Sequence, residues 1–414
     1  MINLRPFQIA LLGLFLFLAI GAVVLLTTAP TGSDEEIPSF GNRVLIWGTL
    51  DDRAMNEVFN EIEDDIDDFR VVSYRQVPEW QFEEELVNAI AEGRSPDMVF
   101  ISSEDLVTLR TKLRSLSYEM QSVRTFRDSY IDAAEVFMFD DGFYALPLAV
   151  DPLVMVWNRD LFAENGLAAP PTTWEAVVGQ TVPAITQLNS QRTILQSALA
   201  FGVYENVRFA KAMLLTLALQ SGSAMTTQAR NRYEVLLDEP IGGATGDPLE
   251  SAAQFYTSFS NPNNSLYSWN RTFGSDDQQF AAGDLGMYFL PASAIPSVVD
   301  RNPNINFDVA PVPQGASASE RRVYGEVYGF AIPSASPNAG GAYAVAQLLT
   351  RSAYTESLAT KLNLAPVRRD LLARGSADPI ASVVYTQALI SRGWLDPNPR
   401  ESDRIFEMMI SDIT

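Results

Sequence analysis

Cysteine and histidine are both absent from the 414 residues. Without thiols there is no disulfide, thiolate nucleophile, iron–sulfur cluster or thiolate zinc site. Lipid attachment through a mature N-terminal cysteine is excluded for the same reason. Without imidazole, Ser-His-Asp triads and histidine metal sites fall away too. Any catalysis would have to rest on carboxylates, lysine, tyrosine or serine. Positive charge is also scarce: 29 Lys and Arg face 51 Asp and Glu, a formal net charge of −22. Such a surface repels phosphate backbones, so nucleic acid is not expected as a partner. Solubility is the simple reading of this charge. The acidic run Glu61–Asp68 lacks the glycine and regular oxygen spacing of a calcium loop, and reads as a solvated helix face. Gly242–Pro248 lacks the spacing and the following Lys-Ser/Thr of a phosphate loop. No metal and no cofactor is expected.

What is present begins with a long apolar run. Phe7–Leu26 is interrupted only by Gln8, and as a helix it would span roughly 30 Å, the thickness of a hydrocarbon core. Arg5 precedes it and Asp34, Glu35 and Glu36 follow, which keeps the tip inside and sends the rest of the chain out of the cytoplasm. A cleaved signal peptide is the competing reading, but its apolar core would span only about 7–15 residues. Pro30 also follows the small-residue site Thr27-Thr28-Ala29. The expectation is a cytoplasmic tip over 1–6, a single-pass anchor over 7–28 and a Pro-, Gly- and acid-rich tether over 29–42.

The remaining length suffices for two domains with substantial cores. Val44–Trp47, Val71–Tyr74 and Met98–Ile101 read as strands. Between them lie helices over 51–68, with Met55, Val58, Phe59, Ile62 and Ile66 on one stripe, and over 79–92. This alternation predicts a parallel-rich α/β sheet, with ligands beyond the carboxyl ends of the strands. Leu146–Val150 and Val154–Trp157 are apolar strands separated by Asp151-Pro152. Asn158 starts a short helix, and Thr172 with Glu175 forms a capping box. Residues 153–285 read as mainly helical, Ala210–Gln220 as a buried helix, and 221–250 as loop-rich. Met287–Leu290, Phe307–Ala310 and Val327–Ile332 read as further strands, with a helix after Ser336-Pro337.

The order of these pieces resembles family 1 of the extracellular solute-binding proteins, the maltose-binding-protein-like receptors of ABC importers. The resemblance rests on LPLAVDPLVMVWNRDLFAENGLAAPPTTW over 146–174, on Gly93–Phe100 (GRSPDMVF) and on Phe280–Met287 (FAAGDLGM). Val44–Trp47, Ser336-Pro337-Asn338 and Leu364–Arg369 (LAPVRR) add to it. It implies a two-lobed periplasmic-binding-protein-like α/β fold with three interlobe crossings, near Val150, Phe289 and Val327. Lobe one would comprise 43–149 and 291–326, and lobe two 150–290 and 327–414. Joined to the anchor expected above, it further implies a monomeric receptor, not an enzyme, that captures a carbohydrate or similar small polar solute and delivers it to ABC permease subunits.

A hydroxyl-rich solute calls for flat rings against its C–H faces and planar acceptors for its hydroxyls. Trp47 ends the first strand, Asp51 and Asp52 lie just beyond it, and Glu104 follows the third. Asp151 sits at the first crossing and matches an acid of maltose-binding relatives, and Tyr204 and Glu205 fall where those relatives carry a tyrosine and an acid. Trp269, Tyr328 and Trp394 are candidate platforms of the second lobe. Where those relatives place stacking tryptophans, this chain has Ile101 and Ser293, which points to a sugar other than maltodextrin, a derivative or another polar solute. Two alternatives stay open at this point: a glycoside hydrolase using a pair such as Asp151 and Glu205, and an extracellular sensor module.

Overall fold

A computed structural model describes residues 40–414, except 42, 230, 231, 244 and 319. The expected anchor at 7–28 lies outside the described residues; among them, no helix is long and apolar enough to cross a membrane.

The organising element is a single strand. Leu146–Val150 and Val154–Trp157, expected as two strands, run without a break through Asp151-Pro152, and all thirteen residues of Leu146–Asn158 are buried. Numbering the principal strands in chain order gives β1 (Val44–Gly48), β2 (Val72–Gln76), β3 (Met98–Ser102), β4 (Leu146–Asn158) and β5 (Ile194–Leu199). They continue with β6 (Ser223–Ala229), β7 (Arg232–Pro240), β8 (Leu285–Pro291), β9 (Phe307–Ala310) and β10 (Val323–Ala331). The main sheet is ordered β2-β1-β3-β10-β4-β8-β5, with β9 also on β4. The first half of β4 pairs antiparallel with β10, Leu146 opposite Phe330 and Val150 opposite Val327. The second half pairs with β8 on one side, Trp157 opposite Met287, and with β9 on the other, Met155 opposite Ala310. One strand therefore belongs to two half-sheets. β1, β2 and β3 are parallel to one another, as the strand–helix alternation requires.

Each half-sheet carries its own helices, which makes two lobes. On the first lies α1 (Asp52–Asp65), capped by Asp51 and burying Met55, Val58, Phe59 and Ile62. α2 (Glu79–Ala91) buries Phe82 and Leu86. On the second, α3 (Ala210–Gln220) is buried almost all round. Nearby, Phe201 touches the rings of Trp174, Tyr256, Phe259 and Phe289 at centroid distances of 5.9, 4.9, 5.5 and 5.3 Å.

Strand pairing distributes the later chain differently from the expected split. After β8 the chain does not return to the first half-sheet: β9, expected there, pairs with the second half of β4. The helix after Ser336-Pro337 (α4, Ala339–Leu349), expected in lobe two, packs on β1 and β4. Its cap Asn338 also donates to the carbonyls of Phe40 and Arg43 at 2.8 and 2.9 Å, which fixes it beside the entry to β1. α5 (Ser352–Lys361) packs on α1, where Lys361 reaches Glu57 and Glu61, each at 3.1 Å. The crossing expected at Phe289 is thus not made; β4 and β10 do cross, near Val150 and Val327. Composition marks a strand but not its neighbour, and this is where the expectation failed.

Two local readings also shift. Thr173, not Thr172, caps the helix at Trp174, and the Glu175 carboxylate accepts from the Ala316 amide. The stretch read as loop contains the β6–β7 hairpin, whose Ser-Ala-Met-Thr-Thr-Gln-Ala arm carries no period-2 apolar signal. Tyr233 on that hairpin accepts from the Arg110 guanidinium at 3.1 Å, beyond β3 in the first lobe. The same guanidinium lies over Phe139 and Tyr144 at 4.2 and 4.9 Å.

Truncating the ring at the centre of the second-lobe cluster should leave a cavity that its neighbours only partly fill. Phe201→Ala is expected to cost about 3–5 kcal/mol, read as a lowered midpoint in urea unfolding. A loss below ~1 kcal/mol would show that the cluster repacks.

Candidate ligand-binding cleft

β4 changes partners at Asp151-Pro152, and a cleft of about 450 Å³ opens there along the seam of the two half-sheets. Its floor comes from the crossing strands. Asp151 on β4 is the register partner of Glu326 on β10, and Pro152 is that of Gly325. Gly325 is needed for close approach: a Cβ would stand 2.8 Å from the Ser391 hydroxyl oxygen and 2.9 Å from a Val150 methyl. The Ser293 amide donates to the Asp151 carboxylate at 3.0 Å and the Ser293 hydroxyl donates to its other oxygen.

Burial dominates the electrostatics of this floor. It pushes the Asp151 carboxyl up to about 6 despite the hydrogen bonds from Ser293. Asp105, beyond β3, is likewise raised to about 6 by burial, against a bond from the Ser102 amide at 3.1 Å. Glu326 is pushed well above the carboxylate range by burial and then by the negative charge of Glu104. It shares the floor with no cation: neither Asp151 nor Glu326 forms an ion pair among the described residues.

The walls come from both lobes. Glu104 follows β3, at the carboxyl end where an α/β sheet receives ligands. It accepts from the Tyr324 hydroxyl at 2.6 Å and from Lys211 at 3.2 Å. Lys211, on the first turn of α3, also reaches the fully buried Asp396 at 2.7 Å and lies 5.5 Å from the Trp394 ring centre. Burial opposes its charge, but Glu104 and Asp396 outweigh it and raise its pKa above the usual lysine value. The C-terminal helix α6 (Pro399–Ile413) contributes Arg400 and Asp403. Arg400 donates to the Trp80 carbonyl at 2.8 Å, bridging to α2 of the first lobe.

Among the residues expected from sequence, Glu104 and Asp151 line the cleft. Tyr204 stands at its edge, where its hydroxyl donates to Asp403. Trp394 is buried under Lys211. Tyr328, adjacent in the floor strand, stacks on Phe100 at 5.9 Å. The others are elsewhere. Asp51 accepts from the Ala54 amide as the cap of α1, and Asp52 opens that helix exposed. Trp47 is buried beneath the Arg75 guanidinium, 4.5 Å from its ring centre. Trp269 is fully buried, stacked on Phe273 at 4.6 Å and donating to Asn206 at 2.9 Å. Glu205 lies at the surface 3.5 Å from Arg271 and is not among the residues lining the cleft with Asp151. The carboxylate pair that hydrolysis was to use is therefore not assembled. Sequence reasoning missed Glu326, Lys211, Arg400 and Trp80. Trp80 is the one tryptophan of six with an open ring, 70% exposed beside cleft-lining Glu79. Its place at the start of α2, off the apolar stripe, was the available signal.

The family model for bacterial extracellular solute-binding proteins matches residues 57–383. The chain belongs to that family. No curated protein matches the sequence. Solved structures similar to this solute-binding protein include a cyclo/maltodextrin-binding protein complexed with maltotetraose. The two are 16% identical, with a TM-score of 0.68, over 90% of this chain and 93% of that one. Another is an ABC transporter solute-binding protein from Thermotoga lettingae TMO bound with α-D-tagatose, 18% identical with a TM-score of 0.63 over the same shares. Both share the two-lobed α/β fold.

The floor acids give this solute-binding protein a pH signature. Asp151 holds its proton more tightly folded than unfolded, so its contribution is fully present below about pH 4 and is lost as pH rises through about 6. Asp151→Asn should therefore gain on the wild type by about 3 kcal/mol between pH 4 and pH 8, from a shift of roughly two pKa units. Urea unfolding across that range measures it; a difference that does not vary with pH would remove the assignment.

Proposed function

We propose that the cleft captures a carbohydrate or similar small polar solute by closure of the two lobes and presents it to the permease of an ABC importer. The observation that carries this reading is the cleft itself. Acceptor side chains from both lobes, Glu104 and Asp151 from one side and Asp403 from the other, converge on it along the two strands that join the lobes. Family membership supports capture without turnover. The sugars named for the two similar structures support a hydroxyl-rich solute. To Trp80, whose ring is exposed and whose neighbour Glu79 lines the cleft, falls the stacking role first expected of Trp47. Residues 7–28 would hold the receptor at the outer face of the cell membrane, within reach of the permease.

Binding closes the lobes only to the extent that the solute prefers the closed form. Calorimetry of the full chain against a panel of sugars and polyols should find a micromolar-range binder that also shrinks the radius of gyration in solution scattering. Trp80→Ala should weaken that binder about 10-fold or more, the effect of losing ~1.5–2 kcal/mol of stacking. Silence across sugars, polyols and peptides, with unchanged scattering, would defeat the proposal.

A further inference from the structure

Three cations line the cleft, and each is already committed. Arg208 is bound to Asp277 at 3.0 Å, Lys211 to Glu104 and Asp396 at 3.2 and 2.7 Å, and Arg400 to the Trp80 carbonyl at 2.8 Å. The carboxyls are not all matched. Asp151 and Glu326 face each other as register partners on adjacent antiparallel strands, in the cleft floor, without an ion pair among the described residues. Burial and the nearby Glu104 charge hold Glu326 towards its protonated form, so the floor avoids two facing negative charges by keeping a proton where no cation stands. Carboxyls accept from the hydroxyls of a neutral polyol, but a facing pair without a cation is matched best by a solute that brings one.

The same cleft shows how such a pair is matched. Around the Lys211 ammonium stand two carboxylates, a tyrosine hydroxyl on one of them (Tyr324 on Glu104) and the face of Trp394. The floor pair likewise presents two carboxyls, with the Tyr328 hydroxyl on Glu326 and the Ser293 hydroxyl on Asp151. The second set repeats the two carboxyls and the tyrosine hydroxyl of the first and lacks its ammonium. We infer that the solute carries a protonated amine, which seats between Asp151 and Glu326 in the cleft floor while its remaining polar groups meet Glu104 and Asp403. This rests on the solute-capture reading above and names the charge of what is captured. An ammonium offers three donors to the two carboxyls, and its charge favours release of the proton that Glu326 otherwise holds, so both sides of the floor become charge-assisted acceptors. Two kinds of solute share this chemistry, an aminated sugar and a simple aliphatic amine.

Calorimetry of the full chain at pH 7.5 and fixed ionic strength separates the cases, with glucosamine against glucose, galactosamine against galactose, and putrescine and spermidine as sugar-free amines. The expected result is that an amine binds at least 10-fold tighter than any neutral sugar. Glu326→Gln and Asp151→Asn, each checked for an unchanged circular dichroism spectrum, should each lower that amine's affinity at least 10-fold. Selectivity for an amino sugar over both diamine and triamine assigns an aminated sugar; tighter binding of the aliphatic amines assigns those. Equal or tighter binding of neutral sugars would overturn the inference while leaving solute capture intact. So would amine binding that neither substitution weakens. Absence of binding by every compound would remove both.

Discussion

Everything in this molecule depends on one strand having two sets of partners. β4 is buried along its whole length because its first half is bonded within one half-sheet and its second half within the other. A strand shared in this way cannot be shifted in register for one lobe without shifting it for the other, since a one-residue slip would turn every side chain over. The place where the partners change is fixed by Pro152, which has no amide to offer, and by Gly325 opposite it, which leaves room for the Ser391 side chain. The cleft lies at that place because backbone pairing is handed over there, and Asp151 reaches it as the residue before the change.

The floor of the cleft runs against the ordinary preferences of a folded protein. Buried carboxyls need partners, and elsewhere in this chain they have them: Asp277 holds both Arg208 and Arg301, Asp396 holds Lys211, and Asp276 and Asp97 accept from backbone amides. Asp151 and Glu326 differ from these in facing one another as register partners on adjacent strands, in a cleft and without an ion pair among the described residues. Local departures of this kind collect where a protein meets its ligand.

Much of the first lobe could be read from the residues. Alternating runs such as Val44–Trp47 and the Met55, Val58, Phe59, Ile62 stripe have the periods of their elements, and those elements formed within three residues of the expected ends. Asn158 was legible as a cap for the same local reason. Pairing was not legible. Phe307–Ala310 is apolar and β-branched enough to be a strand, but nothing in those four residues says that its neighbour is Met155 and not Phe100. In the cleft, Asp151 was found because it interrupts an apolar run, and Glu104 because it follows a strand. Glu326 fell just before the run Val327–Ile332 that read as the strand, and Lys211 in a helix that reads as core. Their meaning arises only when the two are brought to one seam. The tryptophans misled: Trp47 and Trp269 bury their rings for packing, and Trp80 was passed over because it belongs to no stripe.

The β6–β7 hairpin has a mechanical consequence of its own. It grows from the second lobe, yet its Tyr233 takes a hydrogen bond from Arg110 of the first, whose guanidinium is sandwiched among Phe139 and Tyr144. Any pivot about the shared strands changes the separation of these two residues, so the arm behaves as a guy-rope with a fixed span. The amplitude of gaping is then governed by the hairpin's reach as well as by the stiffness of the pivot.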